Sequence, residues 1–125
     1  MIHQLYELAQ RQSLPLESKV RLSLMRINAW VIRFDESITI SLKGCKEELA
    51  CTIITSLVKD IIPDVEVGEG KYPITPFRVG NNPERTQNWL EYSCNSYEGS
   101  LVACRPLSVW TLEDLENYSN RLEKG

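Results

Sequence analysis

The chain has 125 residues, 42% hydrophobic and 25% charged, with a formal net charge of −3. That length predicts one domain over residues 1–125, large enough to bury about two-thirds of its unfolded-chain surface without help. An acidic balance with lysine and arginine spread along the chain argues against an electrostatic nucleic-acid binder, which needs clustered cations, and leaves room only for a local basic face. No apolar run approaches the ~20 residues that span a bilayer. The start, Met1-Ile2-His3-Gln4-Leu5-Tyr6-Glu7, lacks the basic and apolar regions of a secretion signal. The chain therefore reads as cytoplasmic, and its four cysteines are expected to be reduced, buried, metal-bound or reactive rather than disulfide-paired.

In chain order, residues 1–12 are weakly helical and end at Leu14-Pro15. The clearest helix follows: Val20, Leu24, Ile27, Val31 and Phe34 recur at 3–4 residue steps as one apolar stripe. Met25 and Ile32 are expected to widen it, while Lys19, Arg21, Arg26 and Arg33 point elsewhere as a solvated basic back. A strand runs from Ser37 to Leu42, rich in the β-branched residues Ile38, Thr39 and Ile40. The second helix, Glu48 to Ile61, carries Leu49, Ile53, Leu57 and Ile61 at helical spacing, and Ile54 and Val58 make it apolar on a second side. It is expected to be deeply buried, and Pro63 ends it.

Val65-Glu66-Val67 suggests a short strand, and Gly68-Glu69-Gly70-Lys71-Tyr72-Pro73 a turn-rich connection. Ile74 to Val79 reads as an edge strand, because Pro76 removes a ladder donor. Pro83 to Tyr92 reads as a short helix with proline in its first turn. Thr111 with Asp114 three residues on is a capping-box variant that starts the last helix, whose apolar face is Leu112, Leu115, Tyr118 and Leu122. The order of elements predicts an α/β domain: a small, mostly parallel sheet packed with helices.

The segment between the first strand and the buried helix holds the main functional signal. Ser41-Leu42-Lys43-Gly44-Cys45-Lys46-Glu47-Glu48 is a glycine turn leading into a helix N-terminus, the position where backbone N–H groups and the helix dipole hold phosphate. Two glutamates sit at that position here.

Three stretches carry a family resemblance: Leu14-Pro15-Leu16-Glu17-Ser18-Lys19, Ile38 to Glu48, and Ile61-Ile62-Pro63-Asp64-Val65. So do Pro76 to Gly80, Arg85 to Tyr97 with its Trp89…Cys94-Asn95-Ser96-Tyr97, and Arg105-Pro106-Leu107-Ser108-Val109-Trp110-Thr111…Asp114. Together they cover most of the chain, which resembles phage-type phosphoadenosine-phosphosulfate (PAPS) reductase-like proteins of the adenine-nucleotide α-hydrolase fold, with its pyrophosphate-binding loop. The resemblance implies a reduced version of that domain, since family members are longer and the missing part falls near Gly68-Glu69-Gly70. Against the family's Ser-Gly-Gly-Lys-Asp-Ser loop, Lys43 replaces the first serine, Gly44 and Lys46 are retained, Cys45 replaces the second glycine, Glu47 the aspartate and Glu48 the last serine.

Those departures imply lost catalysis. Cys45 brings a Cβ where glycine allows close backbone approach. A carboxylate ~5 Å from a phosphate charge repels it by roughly 1–3 kcal/mol, and Glu47 and Glu48 at the helix start satisfy its dipole. No nucleotide is expected; the alternative reading keeps residual adenine-nucleotide or PAPS binding on Lys43, Gly44 and Lys46, or a sulfur-transfer accessory role. The tail after Asn120 holds no cysteine for reductase chemistry.

Cys45, Cys51, Cys94 and Cys104 lack Cys-x-x-Cys spacing, so small core residues are the plain reading. The resemblance implies that three of them flank one cleft. A structural zinc on Cys45, Cys51, Cys94 and Cys104, with His3 as a substitute ligand, follows as an expectation. Arg85, Trp89, Tyr92 and Tyr97, together with Glu47 and Glu48, make a candidate protein-binding patch, against the plainer reading of Trp89 as core. The combined expectation is a non-enzymatic, phage- or prophage-encoded protein-binding module. Its partner would be a host protein, plausibly a defence nuclease such as a Cas effector (an anti-CRISPR-like role), with no direct nucleic-acid or membrane contact.

Overall fold

Helical periodicity becomes structure in the two longest helices. α1 (Ile2–Gln12) leads into α2 (Leu16–Phe34), where Ile27 and Trp30 are buried and Val20, Leu24, Val31 and Phe34 pack against the main core. α3 (Glu48–Ile61) is the most buried helix, with Ala50, Ile53, Ile54, Leu57 and Val58 fully inaccessible. It stops where expected: Ile62 leaves helical geometry before Pro63, its N–H still bonded to the Val58 carbonyl. The computed structural model describes residues 2–34, 38–80, 82–92, 95–98 and 101–124.

The flanks of α2 depart from expectation. Met25 and Ile32 are 66% and 76% exposed, so they do not widen the core stripe. Lys19 is 1% exposed rather than solvated. Spacing places a stripe on a helix; which flank is covered depends on the neighbour, and here α5 (Leu112–Lys124) approaches on the Lys19 side.

The remaining elements are β1 (Ile38–Ile40), β2 (Glu66–Val67), β3 (Tyr72–Ile74), α4 (Pro83–Tyr92), β4 (Asn95–Glu98) and β5 (Leu101–Cys104). They make a five-stranded sheet in the order β2-β1-β3-β5-β4. Three pairings are parallel and only β4 against β5 is antiparallel. The α/β class with a mostly parallel sheet is therefore observed. β3 sits at the centre of the sheet, with Ile40↔Ile74 on one side and Ile74↔Cys104 on the other. The edge-strand expectation is corrected: the strand ends at Ile74, so Pro76 lies beyond the ladder it would have disrupted.

Ile40, Ile74 and Cys104 join Ile27, Trp30, Trp110, Leu115 and the buried residues of α3 in one core. A smaller cluster of Leu8, Val79, Trp89 and Val109 lies beside it. Arg105 to Trp110 forms a fully buried connection. Its turns close through Ser108 N–H to the Arg105 carbonyl and Trp110 N–H to the Leu107 carbonyl. The Trp110 indole donates to Ser23 Oγ (2.9 Å), which donates to the Pro106 carbonyl (2.8 Å). The predicted capping box starts α5: Thr111 N–H bonds Asp114 Oδ2 at 2.8 Å, and Asp114 N–H bonds Thr111 Oγ1 at 3.2 Å.

Candidate functional site

β1, β3 and β5 run parallel, so the segments that follow them emerge at the same sheet end. In open α/β sheets that end, at the strand where the connections diverge, is where ligands are bound. β1 is such a strand: β2 flanks it on one side and β3 on the other. A cavity of ≈ 250 Å³ opens there, walled by residues 43–47 after β1, Thr75 to Arg78 after β3, Ala103 and Arg105 around the end of β5, and Arg85 from α4.

Its charge is the main finding. Among the described residues, Lys43, Lys46, Arg78, Arg85 and Arg105 line the cavity against one carboxylate, Glu47. Glu47 is the N-cap residue of α3, but its side chain makes no capping bond. Instead Oε2 accepts from Arg78 Nε at 3.0 Å and Nη2 at 2.6 Å, and Oε1 accepts from Arg85 Nη1 at 3.4 Å. Arg85 is also held by the Arg78 carbonyl at 3.3 Å. Arg105 is mostly buried, with its guanidinium 3.9 Å from the centre of the Phe77 ring. That cation–π contact keeps a charged group at the cavity floor. Lys43 pairs with Glu69 at the rim; both are 81% exposed, so the contact adds little.

Two glycines shape this wall. Gly44 has φ +76° and lets the chain turn back after β1. Gly80 has φ +56°, and a Cβ there would lie 2.7 Å from Arg78 Nη1. It leaves Arg78 room to reach Glu47.

Lys43, Gly44 and Lys46, the alternative nucleotide set, all line the cavity. Glu47 lies in it, while Glu48 is exposed and outside its wall. The expected pair of blocking acids is thus reduced to one, and that one is neutralised by two arginines. Trp89 is 5% exposed in the smaller core, its plainer reading. The side chains of Tyr92 and Tyr97 lie outside the described residues, as does that of His3. Phe77, Arg78 and Arg105 entered the sequence reading only within the family-like stretches and not as site residues, although a charged residue just beyond a strand at a parallel sheet's carboxyl end is a usable signal.

The cysteine expectation needs correction. Cys45 and Cys51 form a disulfide, with Cα atoms 7.0 Å apart. The Gly44 turn, closed by Cys45 N–H to the Leu42 carbonyl, brings Cys45 back beside the first turn of α3. Compartment arguments from composition carry no information on such a local approach. Cys104 is buried at the end of β5, and Cys94 lies outside the described residues. Disulfide sulfurs are not thiolates, so Cys45 and Cys51, paired in this way, would not ligate zinc. Among the described residues no group of three or more His, Cys, Asp or Glu side chains gathers elsewhere. Nor is any helix among them long and apolar enough to cross a membrane.

Chemically, several guanidinium and ammonium groups around a small recess can hold a multiply charged oxyanion through charge-assisted bonds. No family model, curated protein or solved structure matches the chain.

Proposed function

We propose that this protein binds a small oxyanion group, phosphate or sulfate, free or at the charged end of a metabolite, in the cavity at the carboxyl end of its sheet. The observation that carries this reading is the cluster of five cationic side chains facing one carboxylate at a strand–turn–helix junction. Glu47 marks where the anion goes: a carboxylate already seated on Arg78 and Arg85 is a stand-in for one face of a phosphate. The size points the same way. At ≈ 250 Å³ the cavity is below the roughly 300–1,000 Å³ of drug-sized sites, so it takes a charged head and leaves any larger body outside.

This is the binding function without turnover. None of the named cavity residues forms a nucleophile–base pair, and the reading assigns recognition alone to them.

Titration calorimetry at low ionic strength with phosphate, sulfate, diphosphate and ATP tests it. The expected result is saturable, salt-sensitive binding of at least one anion, reduced ten- to hundredfold in Arg78→Ala, the worth of a bidentate charged contact of about 1.5–3 kcal/mol. The free ions and ATP separate a bare anion from a nucleotide's phosphates. No heat with any of them, together with inhibition of a nuclease, would replace this reading with a surface-acting one. That alternative leans on the outer face of α5, where Glu113, Glu116 and Glu123 are exposed.

A further inference from the structure

The Cys45–Cys51 bond encloses the most important part of the cavity wall. Between its two ends lie Lys46, a lining cation, and Glu47, the carboxylate on Arg78 and Arg85. Cys45 itself lines the cavity, and both cysteines are only half-buried, so a thiol can reach them from solvent. Beyond the bond, Arg78 and Arg85 hold the Glu47 side chain and Cys51 N–H bonds the Glu47 carbonyl, but Glu47 gives α3 no side-chain cap, and the backbone bond inside the turn before it is Cys45 N–H to the Leu42 carbonyl. Gly44, at φ +76°, adds no side chain to hold it.

From this we infer that Cys45 and Cys51 are a redox switch for the anion cavity: the disulfide form holds the wall ready for an oxyanion, and the dithiol form weakens it. The inference rests on the oxyanion-binding reading and adds its regulation. The chemistry is thiol–disulfide exchange with a thiol reductant of the glutathione or dithiothreitol class. One reductant thiolate attacks a protein sulfur, breaking the S–S bond; the departing cysteine sulfur takes up a proton. A second reductant thiolate then attacks the reductant sulfur of the mixed disulfide and expels the other cysteine, which takes up a proton, leaving two protein thiols and an oxidised reductant. Two electrons and two protons enter the protein.

The energetic link is conformational. With the bond closed, the backbone that presents Lys46 to the cavity is already ordered; with it open, ordering it falls to the anion. That cost weakens binding by about two- to tenfold, the worth of one immobilised long side chain. Linkage then requires the reverse effect: a saturating anion shifts the disulfide equilibrium toward the oxidised form by the same factor.

The test uses inorganic phosphate as probe. Peptide mapping of the air-oxidised protein first establishes whether Cys45 and Cys51 are joined; two free thiols there would end the inference. Calorimetry on oxidised and reduced protein should give a dissociation constant two- to tenfold higher after reduction. The double variant Cys45→Ser/Cys51→Ser should match the reduced protein and ignore reductant. Equal affinity in both states overturns the switch and leaves the cavity reading standing. No phosphate binding in either state overturns both. A double variant still sensitive to reductant places the effect on Cys94 or Cys104 and also overturns it.

Discussion

Two carboxylates in this molecule meet cations in opposite ways. Asp114 Oδ2 takes Lys19 Nζ at 2.5 Å and the Thr111 N–H at 2.8 Å, and the side chains of the pair are 1% and 11% exposed. Lys19 spends another proton on the Gln12 carbonyl, also at 2.5 Å. The cluster is buried and its charges are paired one to one: it ties the end of α1, the start of α2 and the cap of α5 together. Glu47 also sits between cations, but its side chain is 27% exposed and that of Arg85 is 42% exposed. Among the described residues, Lys46 adds a further positive group to those of Arg78 and Arg85 around it. The same ion-pair chemistry is structural where charges cancel out of water, and is available for binding where an excess of one sign faces a cavity.

If that distinction is right, removing the cation at the first cluster has the largest effect. Lys19→Ala leaves Asp114 buried with no opposite charge and is expected to cost about 3–5 kcal/mol of unfolding free energy in urea denaturation. Lys19→Met keeps the stem and should recover only a minor part. A loss below ~1 kcal/mol in both variants would mean that water reaches Asp114 and that the two clusters are alike.

The equivalent change at the second cluster should act on binding and spare stability. Glu47→Gln removes the built-in competitor and is expected to raise phosphate affinity roughly tenfold, since a like charge within ~5 Å is worth about 1–3 kcal/mol. Its unfolding free energy should fall by no more than about 1 kcal/mol, as for a partly exposed pair. Unchanged affinity would show that Glu47 stays on Arg78 when the anion binds elsewhere.

The smallest effect concerns pH. Burial raises the Tyr118 hydroxyl above its ordinary value of 10.0, Asp60 adds to the rise, and Arg121 opposes it. Tyr118 packs edge-on against Trp110, with ring centroids 5.5 Å apart. A raised pKa in the folded state means stability is complete below pH 10 and declines as pH climbs through the folded value. Tyr118→Phe should flatten that decline in thermal melts between pH 9 and pH 11, chosen to bracket the value of about 10. A decline of the same steepness in the variant would assign it to other groups.

Much of the fold was legible because it is written locally. The Thr111–Asp114 box, the stop at Ile62-Pro63, the proline-led α4 and the apolar spacing of α3 each involve residues within one or two turns of each other. The antiparallel β4–β5 pair also has a sequence signal, a glycine-led dipeptide between two short runs. Lys19, Met25 and Ile32 were misplaced because a helix's own periodicity does not say which flank a neighbour will cover.

The site divides along the same line. Lys43, Gly44 and Lys46 are adjacent in the chain, and a glycine turn between strand and helix announces them without any fold. Arg78 and Arg85 follow β3 and Arg105 follows β5, all distant in sequence from residues 43–47, and parallel pairing of β1, β3 and β5 is what delivers their carboxyl ends to one place. Charge tells the rest. A net −3 chain read residue by residue looks unsuited to anions, whereas the folded molecule concentrates five cations in one recess, because charge adds over distance in space and not along the backbone.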